Sequence, residues 1–406
     1  MDRRTLLKLL AATAVAGCEQ KHSNAKDLRV VVAGAGIVGA SIAYHLAKAG
    51  AAVTVIDQQA PASHASRGTF AWINATWAKQ PRSYHQFSQA SVAYWRKLHE
   101  ELQLPLRWGG SLEWFSGEER QIRLAAQIDE QVTWGEPASM VDSNEFAQLE
   151  PNVVFKDGWS AAYSQNDGTV DPVGATRALL TAAESLGAVV QHPSELISVK
   201  RENGKLDSVE TSTGRLRADR IVLATGAASD VISRIADVEI PQRSTPGIIA
   251  ITRPMPRLLN HIIAAPGVHM HQRDDGRVVI GEQDGAPDNE AHAMRLAGRP
   301  NDFPSPLIAN EHANRMLAVA QKFAPALQEA VMERAYIGWR PLPIDGHPVI
   351  GPSPARNDTY IAVMHSGVTL APITGKLVAD EIVSDTRSAM LTPYRADREF
   401  DIVKRY

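Results

Sequence analysis

From Leu28 to Ala33 the chain is a short apolar run with three successive valines, interrupted only by Arg29. From Val38 through Ile42 to Leu46 the apolar positions recur at every fourth residue, and Ala52 to Ile56 is a second short run, apolar but for Thr54. A short apolar run suits a strand buried on both faces, and the fourfold repeat suits a helix with one apolar face. Gly50 stands where a left-handed residue would end that helix. The pattern predicts strand, glycine-rich turn, helix and strand within residues 28–57.

Further on, the spacing of Phe87, Val92, Trp95 and Leu98 predicts a helix over 83–102, and a second helix is expected over 118–132, with a strand in the SLEWFS stretch between them. Pro172 opens an expected helix, 173–186, that closes at Gly187 before a strand over 188–191. Residues 196–200, 206–211 and 216–218 alternate as an antiparallel meander turning at Asn203-Gly204 and near Thr213-Gly214, and an apolar strand over 220–224 follows. Residues 241–335 are rich in strand-like pieces, among them 247–252 and a hairpin over 268–281, with a loop over 284–306 and a helix over 308–323. Strands over 335–340 and 359–364 then lead into a helix over 368–383, with Pro372 expected near its first turn.

With 406 residues, 44% hydrophobic and 21% charged, the chain is long enough for two or three domain-sized units. A formal net charge of -3 leaves no basic footprint for nucleic acid. The single cysteine, Cys18, excludes a disulfide framework or a multi-cysteine metal site within one chain. Arg3-Arg4, an apolar run broken only by Lys8, and Val15-Ala16-Gly17-Cys18 resemble a twin-arginine export signal ending in a lipobox, with a polar tether up to residue 26. That reading expects a lipid anchor at Cys18 and a place on the periplasmic side of a bacterial envelope. The alternative is an amphipathic tail on a cytoplasmic protein.

The chemistry begins at Gly34, Gly36 and Gly39. In a strand–turn–helix unit the first glycine permits the tight turn, the second lets backbone N–H groups approach a pyrophosphate, and the third lets the helix pack closely on the sheet. Ile37 and Val38 share the helix start, where the dipole favours anions. Asp57 ends the second strand, the place for a carboxylate that accepts from an adenosine ribose. Together these predict a bound dinucleotide. No second glycine fingerprint supports a nicotinamide dehydrogenase. The loop after Asp57 offers Ser63, Ser66, Arg67 and Gly68 to the cofactor, and His64 reads as a surface or phosphate-side histidine rather than a covalent link. Gly226, after the strand over 220–224, brings backbone close to the dinucleotide.

With VVAGAGIVGA, VTVID, DGTVDPVGATRALL, IVLATGA, GWRPLPIDGHPVIG and HSGVTLAPITGKLVADEIV in place, the chain resembles the D-amino-acid oxidase family of FAD-dependent oxidoreductases over about residues 30–383. The resemblance implies an α/β plus α+β architecture. A Rossmann-type FAD-binding domain would be assembled from 27–76, 161–240 and 336–390, an antiparallel-sheet substrate domain from 77–160 and 241–335, and a tail from 391–406. It implies FAD, with Gly34, Gly36, Gly39 and Asp57 at the ADP half and Gly367, Val368 and Thr369 at the flavin pyrimidine; the chain departs from the covalent members, with no cysteine after Cys18 and His64 off the family's linking histidine, so noncovalent FAD is expected. The implied reaction is oxidation of the C–N bond of an amino acid or N-substituted amino acid by hydride transfer to flavin N5, giving an imine that hydrolyses to an oxo acid. Arg340 matches the arginine that grips a substrate carboxylate; its alternative is a structural arginine tied to Asp345. His365 and Tyr336 are further site candidates, and oxygen or a quinone is the expected electron acceptor. The other class left open is a lipid-anchored flavin-binding or electron-relay protein without its own turnover.

Overall fold

The computed structural model describes residues 27–75, 79–282 and 302–402. The expected signal, tether and Cys18 lie outside these residues, as do Trp77 and most of the loop over 284–306. At the centre is a six-stranded sheet in the order Val349–Pro352, Thr359–Val363, Arg220–Leu223, Arg29–Ala33, Ala52–Ile56, Val189–Gln191. All neighbours run parallel except Val349–Pro352, which pairs antiparallel with Thr359–Val363. Val30 and Val32 face one core with Val53 and Val55, whereas Val31 and Ala33 face another with Ile221 and Leu223. Burial on both faces is why this strand reads as a short apolar run.

One face carries the helices Ile37–Lys48, Pro172–Ser185 and Gly367–Ser384, with Arg82–Leu102 against the last of them. Asp171 caps the second, its carboxylate accepting from the Val173 N–H (3.3 Å) with Pro172 in the first turn. The other face is covered by the expected meander, Leu196–Glu202, Lys205–Thr211 and Gly214–Arg217, and by the helix Ser229–Ala236.

An eight-stranded sheet forms the second body, ordered Met332–Pro343, Gln242–Thr252, Val278–Gly281, Val268–Gln272, Ile262–Ala265, Ser111–Glu113, Ala161–Ser164, Ala138–Val141. It is antiparallel except where Ile262–Ala265 meets Ser111–Glu113. The helix Pro306–Ala320 buries Ala313, Met316 and Leu317 on one face. The opposite face gathers Ile249, Ile251 and Val279 with Phe70 and Tyr336.

The packing draws the domain boundaries differently from the sequence reading. Arg82–Leu102 buries Phe87, Val92, Trp95 and Leu98 in the core of the six-stranded sheet, not in the second body. Leu106–Trp108 pairs with Gly168–Val170, which also pairs with Trp72–Ile73, in a small sheet between the two bodies. Ala161–Ser164 and the strand carrying Tyr336 and Arg340 belong to the eight-stranded sheet, because strand pairing rather than sequence proximity decides membership. The expected tail folds back: Leu391 and Tyr394 are buried in the first core. Pro372 lies past the first turn, inside Gly367–Ser384. Among the described residues no helix is long and apolar enough to cross a membrane.

Candidate active site

The carboxyl ends of the parallel strands open onto one cleft, lined at its floor by Ala33, Ile56, Ala224 and Met364. Ligands in open α/β sheets bind there. Gly34 has φ +108°, and a Cβ on it would sit 2.3 Å from the Ala224 carbonyl oxygen. A Cβ on Gly39 would sit 1.9 Å from the Gly34 carbonyl oxygen, so turn and helix meet backbone to backbone. Gly36 differs: its Cβ would meet only the Ser66 Oγ, at 3.1 Å, and the residue lines the cleft. The helix start carries no side-chain cap at Gly36, while the Ile37 N–H donates to Ser66 Oγ (3.0 Å). Asp57 accepts from the Ala35 N–H (2.8 Å) and the Gln59 N–H (2.9 Å), one bond on each carboxylate oxygen. Each oxygen retains acceptor capacity, and Asp57 lines the cleft.

Gly34, Gly36, Ile37, Val38, Asp57 and Ser66 line this cleft, as do Gly226 (φ +59°), His365, Gly367 and Val368. His64 lines it as well, its carbonyl accepting from the Arg67 and Gly68 N–H groups (3.0 and 3.1 Å). Other expected residues stand elsewhere. Gly39 lies beneath the turn, and the Thr369 hydroxyl donates to the Trp72 carbonyl (3.1 Å) and accepts from the Asn74 N–H (3.2 Å). Gly68 lies against Gly338, where a Cβ would come 2.4 Å from the facing backbone. Arg67 turns away to Asp302 (2.7 Å) and stacks on the Tyr336 ring at 4.7 Å. Of the residues lining the cleft, the sequence reading missed Ser194, Glu195, Leu196, Trp339 and Pro341, whereas Thr225 belongs to the expected Ala-Thr-Gly strand end. The first three follow the strand Val189–Gln191, so the strand-end rule would have found them.

Tyr336 and Arg340 are four residues apart on one strand and therefore share a face. Arg340 lies diagonally across from Gly247, whose Cβ would meet Arg340 Nη2 at 2.9 Å and Nε at 3.0 Å; the guanidinium is spread over bare backbone. Glu282 stands nearby, its carboxyl pushed up by burial although the Arg315 and Arg340 charges pull it down. On the same face His271 donates from Nε2 to the Phe70 carbonyl (3.0 Å), and burial lowers its pKa to about 3, so the ring is neutral. Asp167, beneath the Trp72–Ile73 strand, accepts from Ser111 Oγ (2.7 Å), Trp72 Nε1 (2.9 Å) and the Ala75 N–H (3.3 Å). Burial nevertheless pushes its pKa up to about 7.

The site and fold have counterparts among known proteins. The family model described as FAD dependent oxidoreductase (DAO) matches residues 29–381. The chain belongs to that family: it is an FAD-dependent oxidoreductase. It is 26% identical over 395 residues to a glycine oxidase of Bacillus licheniformis, covering 92% of this chain and 98% of that one. It is 25% identical over 425 residues to the hydrogen cyanide synthase subunit HcnC of Pseudomonas protegens, covering 92% and 96%. Among solved structures it is similar to glycine oxidase from Geobacillus kaustophilus, with TM-score 0.81, 24% identity and 92% and 100% of the two chains covered. L-proline dehydrogenase from P. horikoshii is similar at TM-score 0.79 and 25% identity, with 91% and 97% covered.

The residues present fit FAD. Gly36 leaves the cleft wall without a side chain where a Cβ would meet only Ser66 Oγ, Asp57 in the wall keeps acceptor capacity, and the Thr225 hydroxyl in the wall is buried with no partner among the described residues. A buried hydroxyl without a partner is costly in a protein interior, and a polar ligand in the cleft would relieve it.

Proposed function

We propose that this enzyme oxidises the C–N bond of an amino acid or N-substituted amino acid, with Arg340 holding the substrate carboxylate. The observation that carries the reading is the placement of Arg340, spread over Gly247 on the face it shares with Tyr336; the two do not line the cleft themselves, but they stand on the strand that reaches it through Trp339 and Pro341 on the alternate face. Asp345, the partner in the structural alternative, is gripped by Arg398. A guanidinium presents parallel donors that match a carboxylate, and a glycine beneath it leaves room for a planar group to approach. The names of the similar proteins, a glycine oxidase and an L-proline dehydrogenase, agree with an amino-acid substrate.

FAD, when bound, supplies the two-electron acceptor for C–N oxidation, and the imine product hydrolyses to an oxo acid and ammonia or a smaller amine. The chain's part is to bind and orient. Arg340 fixes the carboxylate, Tyr336 flanks it under the Arg67 guanidinium, and His365 stands in the cleft wall beside Gly367. Oxygen or a quinone would reoxidise the enzyme. The test is anaerobic mixing with a panel of amino acids, N-substituted amino acids and the corresponding decarboxylated amines. Flavin bleaching is expected with carboxylate-bearing substrates; a flavin that no amine bleaches would favour an electron-relay protein.

A further inference from the structure

Pro372 has no N–H, and its ring crowds the carbonyl one turn back, so a helix carrying it inside leaves the carbonyl of residue 368 without its usual donor. Here that carbonyl is not left bare. Trp95 Nε1 donates to the Val368 oxygen at 2.9 Å, and both residues are buried. One turn earlier on the same neighbouring helix, Ser91 Oγ donates to the Thr369 carbonyl (2.6 Å) and accepts from the Ile373 N–H (3.4 Å). Ser91 and Trp95 are four residues apart, so one face of Arg82–Leu102 delivers both side chains. The turn they repair contains Gly367 and Val368, which line the cleft. Thr369, in the same turn, ties to Trp72 and Asn74 on its other side.

We propose that Trp95 and Ser91 are positioning residues for FAD. They complete the hydrogen bonding of the first turns of Gly367–Ser384 and so hold the Gly367–Val368 wall of the cleft in place. The helix start presents unpaired amides, which favour negative charge, and a bare Val368 carbonyl beside them would oppose that field. Trp95 removes the opposition by occupying the carbonyl, and Ser91 keeps the turn from opening at the proline. The inference rests on FAD binding by this family member and not on which substrate is oxidised, so it stands or falls separately from the amino-acid reading.

The experiment compares Trp95→Phe, Ser91→Ala and the control Leu98→Ala, which lightens the same helix and the same core without touching Gly367–Ser384 by a hydrogen bond. FAD is removed and titrated back into each apoprotein, and the flavin midpoint potential and visible spectrum are recorded on the reconstituted protein. Trp95→Phe is expected to weaken FAD binding about tenfold or more, as for a buried carbonyl left without a donor. It should also move the midpoint potential to more negative values; Ser91→Ala should do the same to a smaller degree, and Leu98→Ala should lower thermal stability alone. Pro372→Ala restores the missing N–H, so it should rescue Trp95→Phe and leave Ser91→Ala unrescued. Unchanged affinity and potential in Trp95→Phe, equal shifts in Leu98→Ala, or no rescue by Pro372→Ala would each overturn the proposal.

Discussion

Arg398 grips Asp345 through two bonds, Nε to Oδ2 at 2.7 Å and Nη2 to Oδ1 at 3.2 Å, while the His347 N–H adds a third at 3.0 Å. Asp345 is therefore committed to the C-terminal segment. Arg340, five positions away in sequence, lies over Gly247 on its own sheet. Arg340→Lys preserves charge and loses the planar fork, so it should weaken carboxylate substrates by about 1–3 kcal/mol. Steady-state kinetics of Arg340→Lys and Arg340→Met on the best amino acid and on its decarboxylated amine check this, with FAD occupancy measured in each. Equal losses on both compounds would remove Arg340 from carboxylate recognition.

The glycine turn separates two kinds of damage. Gly36→Val puts its side chain into the cleft and should abolish FAD binding while leaving the fold nearly as stable. Gly39→Val drives a Cβ toward the Gly34 carbonyl and should cost more than about 2 kcal/mol of stability as well. Flavin-to-protein absorbance ratios and thermal melts distinguish them. In the wild type the yellow colour should leave the polypeptide on acid precipitation; colour in the pellet would show a covalent link.

Asp167 should make stability pH-dependent. Its folded pKa, about 7, is raised from 3.8, so between those values the native chain holds a proton that the unfolded chain has released. The stabilisation from this group is complete below the unfolded value, fades as pH rises toward 7, and is gone above it. Asp167→Asn keeps an acceptor for Ser111 and Trp72 without the titration, so its unfolding free energy, followed by melts across pH, should gain on the wild type from about pH 4 to pH 8, reaching about 1–3 kcal/mol. A difference that stays flat across that range would mean the carboxylate is ionised throughout.

For the N-terminal segment, we expect export and lipid attachment at Cys18. Cys18→Ala should abolish labelling by a radioactive or clickable fatty acid, and replacing Arg3 and Arg4 together by lysine should retain the precursor inside the cell. Full-length wild-type protein recovered only from the cytoplasm would sink this expectation.

Local chemistry was readable in the sequence, and distant pairing was not. The Gly34–Asp57 unit could be read because strand, turn, helix and acid are adjacent and each is specified by its own residues. The cleft's far wall was partly readable at His365 and Gly367, which follow a parallel strand. Trp339 was missed because nothing beside it in sequence says that this stretch of Met332–Pro343 reaches the cleft; its place follows from pairing with Gln242–Thr252. Arg67 and Gly68 were misplaced for a related reason: the loop after Asp57 closes on the second sheet through Gly68 and Gly338, a contact between backbones far apart in the chain. Arg82–Leu102 has the period of any amphipathic helix, and period alone says nothing of which core receives it.

The cleft draws its walls from residues as far apart as Ala33 and Val368. During synthesis, the strand Thr359–Val363 and the first turn of the last long helix leave the ribosome only after most of the chain is already outside. A nascent chain owns no complete set of cleft residues until Val368 has emerged, so cofactor loading comes late in translation or after it. If the Arg3-Arg4 segment does direct export, the cargo must travel finished, with its flavin aboard, because an unfolded chain threaded across a membrane would arrive where it has to find FAD anew.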